Sequence, residues 1–78
     1  MNIGRLLMIG VEQSAWDADL EHLLEEIQPG GVIFFNRNTQ GGPEAFRELV
    51  AKVREGLGYP VFLAADLEGG QVDRLRDL

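Results

Sequence analysis

Three short, uninterrupted apolar runs, residues 6–11, 32–35 and 61–65, mark this chain, and two segments of helical periodicity separate them. None of the runs alternates apolar with polar. Such runs suit strands covered on both faces, as in a parallel sheet. Between them, Leu20, Leu23, Leu24 and Ile27 recur at the spacing of one helical face, and so do Phe46, Leu49, Val50, Val53 and Leu57. The order strand, helix, strand, helix, strand predicts parallel strands joined by right-handed crossovers.

Local signals set the boundaries. Ser14 or Asp17 can cap the first helix, and Asp17, Asp19 and Glu21 place negative charge where the helix dipole favours it. Pro29-Gly30-Gly31 stops it. Pro43 suits the first position of the second helix, Lys52 and Arg54 fall in its later turns, and Gly56 and Gly58 close it. Pro60 stands at the start of the third strand, where a missing N–H does least harm. Residues 71–78 are polar with scattered apolar positions and predict no definite element. Beyond the strand–helix rhythm there is no repeat.

A chain of 78 residues holds at most one small domain. At this size only about 60% of the unfolded surface is buried, so an isolated domain is marginal. Three parallel strands also leave two edges unpaired, which invites association. A complete β/α barrel needs eight strands and about 250 residues. The expectation is therefore an α/β chain forming the first β-α-β-α-β portion of an incomplete barrel. The remainder of the barrel, or self-association through open strand edges, would complete it.

Composition narrows the partners. The 13 acidic and 7 basic side chains give a net charge of −6, and the basic residues are scattered. That argues against a phosphate-tracking surface and so against nucleic acid. No apolar run approaches the roughly 20 residues of a membrane span, and no signal-peptide pattern opens the chain. The expectation is a cytoplasmic protein with no membrane partner. There is no cysteine, and His22 is the single histidine, so no metal site and no cofactor are expected.

Ligands of parallel α/β proteins bind at the C-terminal ends of strands. Glu12-Gln13, Asn36-Arg37-Asn38 and the segment from Asp66 to Arg74 lie there. Asp66 is the first polar residue after the third apolar run, and its carboxylate can accept hydroxyl hydrogen bonds. Gly69-Gly70 permits close approach of a ligand. Arg74 can return a multi-donor guanidinium to the same place. The alternative is a plain turn in which Asp66 binds its own backbone. Asn36-Arg37-Asn38 reads as a turn with an ion-pairing arginine, with a ligand site as its alternative. His22 reads as an exposed helix residue and Trp16 as a packing residue. Phosphate-cradling glycine motifs are absent.

The residues Leu6-Leu7-Met8-Ile9-Gly10, Gly30-Gly31-Val32-Ile33-Phe34-Phe35-Asn36-Arg37-Asn38 and Ala64-Ala65-Asp66-Leu67-Glu68-Gly69-Gly70-Gln71-Val72-Asp73-Arg74-Leu75 resemble the N-terminal part of glycoside hydrolase family 3, in particular its bacterial β-N-acetylhexosaminidase branch. The resemblance covers nearly the whole chain, taken as residues 1–78 of a family 3 barrel domain. It implies a retaining glycosidase on a (β/α)8 barrel acting on terminal β-linked N-acetylglucosamine, as in cell-wall recycling. It also implies that Asp66 binds sugar hydroxyls and that Arg74 belongs to the substrate site.

Two departures stand out. Gln71 occupies a position that is commonly Arg in that family. The family's Lys-His segment, His-Asp acid/base loop and nucleophilic Asp lie further along its chain and have no match here, so no catalytic residue is assigned. The resemblance therefore implies a substrate-binding portion that is inactive by itself. A non-catalytic sugar-binding or assembly module, a family 3 β-glucosidase-type portion and an unrelated α/β enzyme stand as alternatives.

Overall fold

A computed structural model describes residues 3–67 and 70–72. Helix α1 spans Ala18–Ile27 and α2 spans Pro43–Leu57. Asp17 is the cap of α1: its backbone is extended and its carboxylate accepts the Leu20 N–H at 2.8 Å. The helix ends where Gln28 turns left-handed, at φ 48°, and returns its N–H to the Leu24 carbonyl. The second helix starts at Pro43 behind Gly42, whose φ of 96° an L side chain would resist, and closes at Gly58, at φ 68°.

Strands β1 (Met8–Gly10), β2 (Gly31–Phe35), β3 (Phe62–Leu67) and β4 (Gly70–Val72) form one sheet in that order. The first three are parallel. Ile9, Val32 and Leu63 stand side by side, as do Gly10, Ile33 and Ala64. Consecutive parallel strands joined by crossovers of one hand place both helices on one face of the sheet. The core shows this arrangement. Leu20 and Leu24 of α1 and Phe46, Leu49, Val50 and Val53 of α2 share a buried cluster with Val32, Phe34, Leu63 and Ala65. Phe34 meets Phe46 edge to face with ring centroids 5.5 Å apart. Trp16 packs against this cluster, with its ring beside Gly56 of α2.

Four expectations need correction. The strands are covered on one face only, because both helices lie on the same side. Met8 and Phe62 accordingly remain 47% and 40% exposed on the other side. The first strand is shorter than residues 6–11, since Ile3–Leu6 forms a 3-10 turn. The third does not stop at Ala65 but runs on to Leu67, so Asp66 lies within the strand rather than after it. Strand β4 then pairs antiparallel with β3, matching Asp66 to Gln71, so β3 is not an open edge over that stretch.

Close backbone contact ties the start of the chain to the α1–β2 connection. The Gly30 N–H points at the carbonyls of Gly4 and Leu7, at 3.1 and 3.0 Å, and the Gly31 N–H at that of Leu7, at 3.1 Å. A Cβ on Gly4 would fall 1.6 Å from the Ile27 carbonyl oxygen, and one on Gly30 would fall 2.0 Å from that of Arg5. Neither neighbour is a side chain that can swing aside. Gly30→Ala is therefore expected to lose at least about 2 kcal/mol, within the usual cost of overpacking, as a lower urea midpoint at unchanged slope.

Beside this contact the Tyr59 hydroxyl donates to the Pro29 carbonyl at 2.7 Å, and the Arg5 guanidinium lies 3.5 Å from the ring centroid. Burial raises the Tyr59 pKa above 10.0, while Arg5 pulls the other way. A raised pKa means that the folded form holds the proton more tightly than the unfolded chain. The resulting stability is complete below pH 10 and is lost as pH rises through the folded pKa. Tyr59→Phe is expected to flatten the alkaline limb of a stability–pH profile measured from pH 8 to about 11, the span of an ordinary tyrosine titration.

Candidate functional site

The C-terminal ends of β1 and β2 are joined through a single buried side chain. Asn38 is 0% exposed. Its amide nitrogen donates to the carbonyls of Val11, at 3.0 Å, and Gln13, at 2.7 Å, while its oxygen accepts the Phe35 N–H at 2.7 Å. Every polar atom of the amide is thus used, as burial requires. The 3-10 turn Asn36–Thr39 that carries Asn38 begins where β2 ends, and Thr39 closes it by donating to the Asn36 carbonyl at 2.7 Å.

That turn aims Arg37 across the end of the sheet. Its Nε donates to the Val11 carbonyl at 3.1 Å, and its guanidinium carbon lies 4.9 Å from the Phe35 ring centroid. Phe35 is in register with Asp66 on the adjacent strand. Their neighbours Phe34 and Ala65 are fully buried beneath the helices. Side chains alternate along a strand, so Phe35 and Asp66 project to the opposite, uncovered face. Gly10 shares that face and leaves room on it: a Cβ there would lie 3.1 Å from the Phe35 ring and 3.5 Å from an Arg37 terminal nitrogen.

An aromatic ring, a guanidinium and a carboxylate therefore occupy the same end of the same sheet face. The carboxylate accepts hydrogen bonds and the guanidinium donates them, so the group can hold a ligand that carries both hydroxyls and acceptor oxygens. Asp66 is exposed. Arg74, Glu68 and Gly69 lie outside the described residues. Gly70 and Gln71 belong to β4, opposite Leu67 and Asp66.

The turn at Asn36-Arg37-Asn38 is confirmed, but no described acidic side chain pairs with Arg37, which instead binds a backbone carbonyl and a ring. His22 is an exposed residue of α1, 3.0 Å from Glu26 one turn later. Glu12 is exposed in the loop that Asn38 ties down. The importance of Asn38 escaped the sequence reading. Its only signal was a short amide side chain directly after an apolar strand, a position suited to backbone bonding. Among the described residues, no group of three His, Cys, Asp or Glu side chains could hold a metal ion, and no helix is long and apolar enough to cross a membrane.

Strand order and one-sided helices define a small α/β unit with a three-stranded parallel sheet at its centre and polar side chains at the C-terminal ends of its strands. No protein-family model matches the chain. Curated proteins do. It is 38% identical over 71 residues to a beta-hexosaminidase of Alkalilimnicola ehrlichii, a match that covers 91% of the chain and 20% of that relative. It is 35% identical to the beta-hexosaminidase of Tolumonas auensis, over 91% of the chain and 21% of the relative. It is likewise 35% identical to that of Xanthomonas oryzae pv. oryzae, over 92% of the chain and 21% of the relative. The chain is thus a homologue of beta-hexosaminidases along nine tenths of its own length, consistent with the N-terminal region of such an enzyme, and it spans about a fifth of their length.

Asn38→Ala strands the Gln13 carbonyl and the Phe35 N–H without their partner. The expected cost is about 2–4 kcal/mol, from two buried polar groups at 1–3 kcal/mol each with partial relief by water. Asn38→Asp, which sets a carboxylate against two carbonyls, is expected to cost at least as much at pH 7 and to recover in part as the pH falls below 5, near the usual carboxylate range. Urea denaturation at the two pH values checks both.

Proposed function

We propose that this chain supplies the sugar-holding edge of a family 3 β-N-acetylhexosaminidase, with Asp66 and Arg74 binding the terminal β-linked N-acetylglucosamine. The carrying observation is the position of Asp66: at the C-terminal end of a parallel strand, on the face away from both helices. In a closed (β/α)8 barrel that face is the interior and that end is the mouth. The homology to beta-hexosaminidases supports the same reading from an independent direction.

In this role Asp66 accepts hydrogen bonds from sugar hydroxyls. Charge-assisted bonds of that kind are short and strong, and a ligand lacking the hydroxyl leaves the carboxylate unpaired. Arg74 adds donors from the segment that follows β4. The groups that cleave the bond, a nucleophile and an acid/base, are assigned to the part of the relatives that the chain does not match. Retaining cleavage needs them on either side of the scissile bond, about 5–5.5 Å apart when both are carboxylates. Asp66, committed to the hydroxyls, is neither. Closure of the barrel also gives Met8, Ile33 and Phe62 their missing cover. The substrate class fits cell-wall saccharides, and a cytoplasmic setting fits recycling of their fragments.

A chimera tests the proposal. The matching segment of the Alkalilimnicola ehrlichii relative is replaced by this chain, and turnover of a chromogenic β-N-acetylglucosaminide is followed. The chimera is expected to be active, and Asp66→Ala is expected to lower kcat/KM at least about a hundredfold, or roughly 2.7 kcal/mol, without lowering the melting temperature. An active chimera indifferent to Asp66→Ala and Arg74→Ala would remove the proposed role. Turnover by the 78-residue chain alone, lost on Asp66→Ala, would instead move the chemistry into this segment.

A further inference from the structure

We infer that the uncovered face at β1 is an interface for a carboxylate-bearing segment from the part of the relatives that this chain does not match, and that Arg37 takes that carboxylate. The inference rests on the barrel reading of the proposed function. It concerns a contact that closes the barrel, not one that holds the sugar.

Strand β1 is the outer strand of the sheet, and among the described residues it has a neighbouring strand on one side only. The Arg37 guanidinium lies over it. Its Nε donates to the Val11 carbonyl at 3.1 Å, and a terminal nitrogen would stand 3.5 Å from a Cβ on Gly10, on the face away from the helices. The Phe35 ring leans over the same glycine and backs the guanidinium, 4.9 Å from its carbon. Asp66 stands on β3, on the far side of Phe35. Arg37 therefore belongs to the β1 side of this end of the sheet. Met8, two residues before Gly10 on the same face, is 47% exposed and adds apolar surface there.

Charge decides what can cover this face. Only Nε is engaged, and the other four N–H donors of the guanidinium have no partner among the described residues. Glu12, one residue past Val11, is exposed and makes no ion pair with Arg37. In this chain the Arg37 side chain is itself exposed, so water serves those donors. In a closed barrel the same face is the interior. An arginine cannot shed its proton there, and arginine is almost never buried unpaired. The Val11 carbonyl and the Phe35 ring preset the fork, which matches the two oxygens of a carboxylate. The proposed sugar is neutral, which leaves a protein carboxylate as the partner. This chain spans about a fifth of the relatives, so four fifths of their length can supply it. A second copy of this chain fits poorly, because each carries a net charge of −6 and the two repel.

The test compares the 78-residue chain with its chimera in the Alkalilimnicola ehrlichii relative, both labelled with 15N-arginine. The terminal N–H signals of Arg37, assigned by their loss in Arg37→Lys, are expected to exchange with water at least about tenfold more slowly in the chimera, as charge-assisted bonds require. In the chimera at pH 7, Arg37→Gln is expected to lower the melting temperature by at least about 4 °C, with Arg37→Lys milder and Arg37→Glu worse. Exchange equally fast in both proteins overturns the inference. So does exchange slowed equally in both, which would mean a partner within this chain or a second copy of it. A chimera whose activity responds to Asp66→Ala but whose Arg37 signals exchange freely removes the inference and spares the proposed function. Protected Arg37 signals in a chimera indifferent to Asp66→Ala and Arg74→Ala spare the inference and remove the proposed sugar-binding role. A chimera that does not fold removes the barrel reading and the inference with it.

Discussion

Both helices pack on one face of the sheet, and the rest of the molecule follows from that asymmetry. Apolar side chains of α1 and α2 meet Val32, Phe34, Leu63 and Ala65 in one cluster. Burial of such side chains stabilises by roughly 1.5–3 kcal/mol each, so this face carries the folding energy. The other face contributes little, because Met8 and Phe62 there stay in contact with water. Alternation along β2 and β3 then sorts the residues by task. Phe34 and Ala65 hold the fold, while Phe35 and Asp66, one position on, project from the uncovered face.

This division explains why the sequence was readable in some places and not in others. The stripes at Leu20, Leu24, Phe46, Leu49, Val50 and Val53 named the buried faces of the helices, because burial in a helix repeats with a fixed period. Pro43 and Gly58 marked the ends of α2, since each has a backbone preference that few residues share. The strands were harder. A run such as Val32-Ile33-Phe34-Phe35 has no polar alternation, so nothing in it says which side a helix will cover. The runs suggested cover on both sides, and the fold supplies it on one.

At the site, Asp66 was legible as a polar residue near the end of an apolar run, but its place inside β3 was not. Strand β4 extends the ladder by pairing with Asp66 and Leu67, and a pairing between segments cannot be seen in either one alone. Asn38 was opaque for a related reason. Its partners, Val11 and Gln13, are 27 and 25 residues away, and only the folded sheet brings them within reach. Arg37 was read correctly as part of a turn; no described acidic side chain pairs with it, and its Nε–H goes to a backbone carbonyl, which charge in a sequence does not reveal.

The two ends of the sheet are held by different means, and the difference bears on function. At the N-terminal end, backbone meets backbone: Gly4 and Gly30 approach their neighbours so closely that no side chain fits between. Such contacts have one geometry and little tolerance. At the C-terminal end a single amide side chain, Asn38, bridges the loops that follow β1 and β2. Loops tied at one buried point can differ in every other residue and still present their side chains in register. Arg37 sits immediately before that point and Phe35 donates its N–H to it, so both inherit its precision. The fold thus fixes where the side chains at this end of the sheet stand and leaves open which ones they are.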